Sequence, residues 1–153
     1  MTFEELESVG NGRNERNDCS VIAVALTCNV PYEYAHEALR EAGRRDRGTV
    51  PNWVILQAIN SIGGTIGKSY IFELEKNSDG RKTGEVVNPD GQVVRYIVNH
   101  AVTCRTIEKY ADPDKRYLVF VRGHVLAVVD GKVQDWTEGR RFVVRSMMEV
   151  KGA

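Results

Sequence analysis

The sequence predicts an α+β fold, with helices in the first part of the chain and an antiparallel sheet in the second. Apolar residues recur at helical spacing up to about residue 62, between segments bounded by capping residues, proline or glycine. Beyond that point, short β-rich runs alternate with turn signals such as Asn88-Pro89-Asp90-Gly91 and Asp130-Gly131. The first helix is apolar nearly all round and needs cover from the sheet, so we expect one domain spanning residues 1–153.

Composition argues against several classes of protein. The 21 lysine and arginine residues balance 21 aspartate and glutamate residues, so no overall field attracts nucleic acid or an anionic membrane. No apolar run reaches transmembrane length, and residues 1–10 are too polar and acidic for a signal peptide. Three widely spaced cysteines do not suggest a disulfide framework, which favours a reducing, cytoplasmic setting.

The first predicted helix covers residues 19–27, with Asn17 or Asp18 as its N-cap and an end at Cys28-Asn29. Residues 1–16, which precede it, hold few apolar side chains and are interpreted as a lead-in and loop. Because the helix is apolar on almost every side, it is typical of a helix buried in the middle of a domain.

Two further helices are predicted from proline and glycine signals. Pro31 opens the second, residues 32–42, and Gly43 ends it. Pro51 lies in the first turn of the third, with Thr49 as a candidate cap and Gly63-Gly64 as its end. The side chains expected to face inward are Tyr34, Ala35, Ala38, Leu39 and Ala42 on the second helix, and Trp53, Leu56, Ile59 and Ile62 on the third.

The remaining chain is predicted to form strands and turns. The predicted strands are residues 69–74, 86–87, 93–98, 117–121, 124–129, 132–136 and 142–145. Residues 75–83 are a predicted polar loop, residues 103–110 a candidate short helix capped by Thr103, and residues 112–114 a turn. These strands are expected to pair as antiparallel hairpins.

Asn17-Asp18-Cys19-Ser20 places a cysteine at the start of the buried helix. The unpaired N–H groups and partial positive charge of a first helical turn favour a thiolate, which is the nucleophilic form. Cys19 is therefore a candidate nucleophile, whereas Cys28 and Cys104 are interpreted as small core residues. A cysteine in an apolar helix is also often only a core residue, so the assignment requires a base elsewhere in the chain.

Among the three histidines, His124 is the best candidate base. It follows Gly123 and starts an apolar strand that would hold its ring in a fixed orientation. His36 lies among polar positions and is interpreted as a solvated surface residue, and His100 has no evident carboxylate partner. The alternative for His124 is a purely structural role at the start of a strand.

Asp135 is the candidate partner of His124. A two-residue turn at Asp130-Gly131 would place His124 opposite Thr137 and one diagonal step from Asp135, about 7–8 Å apart at the backbone. Asp135 could instead cap the hairpin or pair with a nearby arginine. A cysteine, a histidine and an aspartate in this arrangement form the minimum set for a thiolate–imidazolium couple with an orienting acid, which favours the catalytic interpretation.

Two segments of the chain resemble small papain-like cysteine peptidases, particularly the compact members common among bacteriophage proteins. The first is Asn17-Asp18-Cys19 with the alanine-rich helix after it and Pro31-Tyr32-Glu33-Tyr34-Ala35 leading to Ala42-Gly43-Arg44. The second is residues 123–132 with Asp135-Trp136, which is similar to the histidine hairpin of that superfamily. Residues 66–105 lie outside the resemblance.

The resemblance implies a papain-like fold in which the nucleophile helix packs on the sheet, with Cys19 as nucleophile, His124 as base and Asp135 as orienting acid. In that superfamily an amide side chain a few residues before the cysteine usually helps to bind the oxyanion. The position six residues before Cys19 is Arg13, so Asn14 and Asn17 are the candidate oxyanion residues. Gly123 and Trp136 are the candidate substrate-binding residues.

The leading hypothesis is a cysteine hydrolase (a peptidase, isopeptidase or amidase) that acts on a protein or peptide through a thioester, without a cofactor or metal. It is expected in the cytoplasm, and in the host cytoplasm if the chain is phage-encoded. The substrate, the oligomeric state and the choice between hydrolase and transferase are left open by the sequence.

Three alternatives compete with this hypothesis. The chain could be a non-catalytic binding or inhibitor protein, for example a phage protein acting on a host factor, with residues 76–98 as its contact surface. Nucleic-acid binding through Arg40, Arg44, Arg45 and Arg47 is disfavoured by the neutral net charge, because these arginines are more typical of a solvated helix end. A zinc site from Cys104 and His100 lacks a recognisable ligand spacing.

Overall fold

The computed structural model describes residues 1–12, 17–45, 50–72, 79–98 and 100–152. Within these ranges four helices precede a seven-stranded antiparallel sheet, which confirms the predicted α+β class and the order of its elements. The helices are α1 (Phe3–Gly12), α2 (Cys19–Cys28), α3 (Tyr32–Ala42) and α4 (Asn52–Ser61). The strands are β1 (Thr65–Ile71), β2 (Thr83–Val87), β3 (Val93–Ile97), β4 (Arg116–Val121), β5 (His124–Val129), β6 (Lys132–Gln134) and β7 (Val144–Lys151).

The strand order across the sheet is β3-β2-β1-β7-β4-β5-β6. The last strand in sequence, β7, therefore lies in the middle, between β1 and β4. Hairpins account for the outer pairs, and the predicted turn after Val87 joins β2 to β3 as expected. A single turn of 3-10 helix, Ile107–Tyr110, lies in the connection that leads into β4.

The sheet is covered on both faces where β4 and β5 run, because each of these strands is buried along almost its whole length. Alternate side chains on one face, such as Phe120, Val125 and Ala127, join the core formed by the four helices. Side chains on the other face, such as Tyr117 and Leu126, form a second cluster with the segment that includes Cys104 and Ile107. The helices and the sheet therefore share a continuous core.

Helix α2 occupies the centre of that core, as its sequence predicts. Nine of its ten residues are buried, and its main partner in the sheet is β5. The helix ends at Cys28, and Asn29 adopts the left-handed conformation (φ 54°) that commonly terminates helices. This packing fixes the position of Cys19 relative to the start of β5.

Helix α1 contradicts the interpretation of the N-terminal segment as a loop. Phe3 and Leu6 lie three residues apart and are buried against the helical core. The Thr2 side chain accepts a hydrogen bond from the backbone N–H of Glu5 (3.2 Å), which satisfies one donor of the first turn. The segment is helical because two large apolar anchors and an N-terminal hydroxyl suffice where the rest of the protein supplies the packing surface.

The predicted bounds of α3 are confirmed, but two of its side chains lie differently from the prediction. Tyr34 is exposed, whereas His36, expected at the surface, is 4 % exposed and stacks on Tyr32 (ring centroids 6.1 Å apart). Tyr32 lies three residues before Ala35 and therefore shares the buried face of the helix, whereas Tyr34 lies off that face.

The arginine loop after α3 and the start of α4 also differ from the prediction. Arg44 is buried rather than solvated, and its Nη2 donates to the backbone carbonyl of Asn17 (3.4 Å). On α4, Val54 and Ile55 face inward with Ala58 and Ile59, whereas Trp53 is exposed. Thr49, the candidate cap, lies outside the described residues.

Two strand predictions and one helix prediction need correction. Strand β1 begins at Thr65, earlier than predicted, and β7 continues to Lys151 because the chain returns through the centre of the sheet. Residues 103–106 form a turn and only Ile107–Tyr110 is helical, of the 3-10 type. Across the described ranges, no helix is long and apolar enough to cross a membrane.

Candidate active site

Cys19 is the first residue of α2 and is partly buried at the helix N-terminus. Asp18 occupies the N-cap position but makes no side-chain cap bond, because its Oδ2 instead accepts a hydrogen bond from the Tyr32 hydroxyl (3.0 Å). The Asp18 side chain therefore accepts no hydrogen bond from the N–H groups of the first helical turn. This arrangement directs the positive end of the helix towards the thiol.

His124 lies at the first position of β5, opposite Val121 across a tight turn formed by Arg122 and Gly123. Gly123 has a φ of 71°, a left-handed conformation that favours glycine and lets the chain reverse directly before the histidine. Because α2 packs on β5, the His124 ring lies beside the thiol of Cys19, in the cleft that both residues line. Interactions of the sulfur with that ring and with the backbone N–H of Val125 lower the pKa of the thiol.

Asp135 lies on the opposite side of the imidazole. Its Oδ2 is 2.8 Å from Nε2 of His124, which leaves Nδ1 as the ring nitrogen for the thiol. The ladder between β5 and β6 pairs Val129 with Lys132 and Ala127 with Gln134, in the register expected for a two-residue turn at Asp130-Gly131. The diagonal relation between His124 and Asp135 follows from that register.

Thr137 holds the carboxylate of Asp135 in place. Its hydroxyl donates to Oδ2 of Asp135 at 2.6 Å, and its backbone N–H donates to the same oxygen at 3.3 Å. Both residues are buried, with exposures of 9 % for Asp135 and 1 % for Thr137. The acid is therefore fixed by two donors besides the histidine and is shielded from water.

The electrostatics favour an ion pair between Cys19 and His124. Burial alone raises the pKa of the Cys19 thiol, but hydrogen bonds from His124 and from the Val125 N–H, together with the charge of His124, bring the pKa below its usual value. Burial alone lowers the pKa of His124, but the Asp135 carboxylate and the Cys19 sulfur outweigh it and raise that pKa to about 9. Both shifts favour a thiolate beside an imidazolium over the neutral thiol and imidazole.

The two other cysteines lack this activation. Burial raises the pKa of Cys28 and of Cys104, so both are thiols at neutral pH. At Cys104, an interaction with Thr137 offsets the effect of burial only in part, and the charge of Asp135 adds to it. These environments agree with the interpretation of both residues as core cysteines.

A cleft of about 520 Å³ opens at the thiol and the imidazole. Its apolar wall includes Val50, Ile55 and Phe120, and its polar lining includes Asn52, Ser146 and two arginines, Arg122 and Arg145. Gly123, one of the two predicted substrate-binding residues, also lines it. The volume lies in the range typical of small-molecule and peptide subsites.

Trp136, the other predicted substrate-binding residue, lies against the His124 ring rather than in the lining of this cleft. The two ring centroids are 5.4 Å apart, and Phe142 meets the edge of the indole at 5.5 Å. Trp136 is 52 % exposed, so its ring shields the imidazole while keeping one face in solvent. Its role in substrate binding stays a prediction.

Neither predicted oxyanion residue is found in the described lining of the cleft. Asn14 lies outside the described residues, and Asn17 is exposed, with a left-handed backbone (φ 55°), away from the lining of the cleft. Asn52, at the first position of α4, is an amide side chain that does line the cleft. The oxyanion assignment of Asn14 and Asn17 stays a prediction, and Asn52 joins them as a candidate.

Sequence reasoning missed Asn52 and Arg145 in the cleft lining. It also missed the buried hydroxyl of Ser20, which has no described hydrogen-bond partner. A polar residue directly after Pro51, at the start of a helix, was the one local signal for Asn52. Arg145 faces the cleft because a β-bulge places two β7 residues opposite one residue of β4, between the pairs Phe120–Ser146 and Val121–Val144. No local pattern indicates such a bulge.

The geometry bears on two of the predicted alternatives, the zinc site and the basic surface. No group of three or more histidine, cysteine, aspartate and glutamate side chains suited to a metal ion occurs among the described residues. Arg44 is buried and Arg40 pairs with Glu37 (2.6 Å), so neither extends a basic surface. Arg47 lies outside the described residues. No family model, curated protein or solved structure matches this chain.

Proposed function

We propose that this chain is a cysteine hydrolase of papain-like character that cleaves an amide, isopeptide or ester bond of a protein or peptide. The observation that carries the proposal is the continuous line of contacts from the Cys19 sulfur through the His124 ring to the Asp135 carboxylate. Each member is buried or partly buried, and the acid is held by Thr137. A histidine with a purely structural role can be held by a single hydrogen bond. His124 instead lies between the Cys19 thiol, whose pKa is lowered, and the Asp135 carboxylate, which Thr137 holds in place.

In the proposed first step, the Cys19 thiolate attacks the carbonyl carbon, and the carbonyl π electrons move to oxygen. The resulting oxyanion is stabilised by N–H groups of the first turn of α2, with a side-chain amide as a further donor. When the tetrahedral intermediate collapses, the bond to the leaving group breaks and the imidazolium of His124 gives its proton to that group. The product of this step is a thioester on Cys19 and a neutral imidazole.

In the second step, the neutral imidazole accepts a proton from water as the water oxygen attacks the thioester. The carbon–sulfur bond then breaks, and the electron pair returns to Cys19 as a thiolate beside the reprotonated His124. Asp135 keeps its charge throughout and stabilises the imidazolium at both ends of the cycle. No oxidant, reductant or cofactor is required by these steps.

A peptide-library digestion tests the proposal. We expect the wild-type protein to generate new peptide ends, detected by mass spectrometry, and Cys19→Ala to generate none. His124→Gln should reduce the cleavage rate by about 10²–10⁴-fold, the usual contribution of a general acid–base group. Cys28→Ala is the matched control, because it removes a cysteine from the same helix outside the site and should retain cleavage.

Two outcomes would contradict the proposal. Cleavage that persists in Cys19→Ala would assign it to another site or to a contaminant. A biological effect of the protein that is retained in full by Cys19→Ala, with no cleavage by the wild type, would favour the non-catalytic binding protein instead.

A further inference from the structure

The described lining of the cleft beside Cys19 contains two arginines. Arg122 and Arg145 both line it, and no carboxylate is found among its described lining residues. Asp135 lies behind the imidazole, buried, and is already bonded to His124 and Thr137. The chain as a whole is neutral, so this local excess does not follow from its composition.

Arg122 has no structural role that would account for its position. It is exposed in the two-residue turn between β4 and β5, and no described residue forms a hydrogen bond or ion pair with its guanidinium. Other arginines of the chain are engaged, for example Arg116, which donates to the carbonyl of Leu26 at 2.6 Å. Arg122 also stands two positions before His124, so the turn that positions the base positions this cation too.

We infer that the cleft selects substrates with a carboxylate close to the scissile bond, such as an acidic peptide, and that Arg122 recognises that carboxylate. This inference rests on the proposed function of Cys19. A planar guanidinium can donate two parallel hydrogen bonds to a carboxylate, and a neighbouring cation strengthens the pairing. Arg145, which the β-bulge directs into the same cleft, is that neighbouring cation.

The rest of the lining fits a peptide better than a phosphate group. Val50, Ile55 and Phe120 give an apolar wall for the body of a side chain, and Asn52 offers an amide for a backbone group. Phosphate sites usually gather several backbone N–H donors in a glycine-rich loop. The turn at Arg122 contains one glycine, Gly123, and does not form such a loop.

Matched electrophiles test the charge preference directly. The first pair is iodoacetate and iodoacetamide, which differ in charge at the group that would approach Arg122. In both, the Cys19 sulfur forms a bond to the methylene carbon and the carbon–iodine bond breaks, releasing iodide.

The second pair is two dipeptidyl vinyl sulfones that differ only in aspartate or asparagine beside the electrophile. In these, the sulfur adds to the vinyl carbon β to the sulfone, the π electrons move to the α carbon, and His124 supplies the proton to that α carbon.

We expect the acidic member of each pair to label Cys19 at a higher relative rate in the wild type than in Arg122→Gln. The acidic-to-neutral rate ratio should fall about two- to fivefold, the effect of one partly solvated ion pair. It should also fall as salt is added, because the charges are near the surface. Arg105→Gln is the matched control, since Arg105 is likewise exposed but lies outside the cleft lining, and it should keep the wild-type ratio.

Separate outcomes distinguish this inference from the function on which it rests. An acidic-to-neutral ratio that is unchanged in Arg122→Gln, while the neutral reagents still label Cys19 rapidly, would overturn the inference alone. Stronger protection of Cys19 by inorganic phosphate than by glutarate at equal ionic strength would overturn it in favour of a phosphate ligand. Neutral reagents that react no faster with the wild type than with His124→Gln would overturn the proposed function itself.

Discussion

Ser20 is a buried polar residue beside the nucleophile whose hydroxyl has no described hydrogen-bond partner. It is 2 % exposed and follows Cys19 in the first turn of α2. In the same helix, the hydroxyl of Thr27 donates to the carbonyl of Ala23 at 2.8 Å and is fully buried. The two hydroxyls thus make opposite contributions to stability, because a buried polar group is costly only when it is unsatisfied.

Ser20→Ala is therefore expected to stabilise the protein by about 1 kcal/mol, since it removes an unsatisfied buried hydroxyl. Thr27→Val, a change of similar shape, should destabilise it by about 1 kcal/mol because a satisfied hydrogen bond is lost. Urea denaturation of both variants measures the free energies of unfolding. A loss of stability in Ser20→Ala as large as that in Thr27→Val would contradict this account of Ser20.

At the residue scale, the sequence was informative where local signals determine the environment. Cys19 was identified from capping residues ahead of an apolar helix, and His124 and Asp135 from one turn and its register. The catalytic role of these residues stays a proposal. The burial of Arg44 could not be predicted, because its partner, the Asn17 carbonyl, is brought close by the packing of different segments. His36 lies one turn after Tyr32 on the same helix and is buried with it, against the core rather than at the surface.

At the element scale, the hairpin of β5 and β6 was predictable because a two-residue turn permits few registers. Asp130 and Gly131 both have positive φ (57° and 76°), the combination required by the tight turn that joins twisted strands. Helix α1 was not predictable in the same way. Its ten residues contain two large buried apolar side chains, so its stability comes from packing against the core rather than from its own pattern.

Phe3→Ala should consequently destabilise the protein by about 3 kcal/mol, because it removes a buried aromatic anchor of α1. Val9→Ala is the control within the same helix, since Val9 is 40 % exposed and its truncation should change the free energy of unfolding by about 0.5 kcal/mol or less. Thermal or urea unfolding followed by circular dichroism compares the two. Equal effects of both changes would show that α1 does not depend on Phe3 for its docking.

At the scale of the whole molecule, the helices and the sheet depend on each other. Helix α2 is buried on almost every side, and one side of its cover is β5. The central position of β7 also means that the sheet is completed only by the last strand in sequence. Neither the strand order nor the bulge at Arg145 could be predicted, because both involve pairings between strands far apart in the chain.

A fragment of residues 1–64 should therefore fail to fold alone, although it contains all four helices of the described chain. Without β4 and β5, α2 would expose its apolar side chains, and the fragment should show weak helicity and no dispersed amide NMR spectrum. The full chain under the same conditions is the control. A fragment with a dispersed spectrum and cooperative unfolding would contradict the shared core.

The pairing of Cys19 with His124 is the central claim, and the pH dependence of Cys19 alkylation by iodoacetamide tests it most directly. Because the pKa of Cys19 is lowered, its alkylation rate should reach a plateau at a lower pH than that of an ordinary thiol, and it should change again as His124 loses its proton near its pKa of about 9. In His124→Gln, burial and the charge of Asp135 still raise the pKa of Cys19, and only the Val125 N–H still lowers it. The rate at pH 7 should therefore be severalfold lower and should rise towards alkaline pH. A wild-type rate that climbs steadily through about pH 8.5, as for an ordinary thiol, or an identical profile in His124→Gln, would contradict the account.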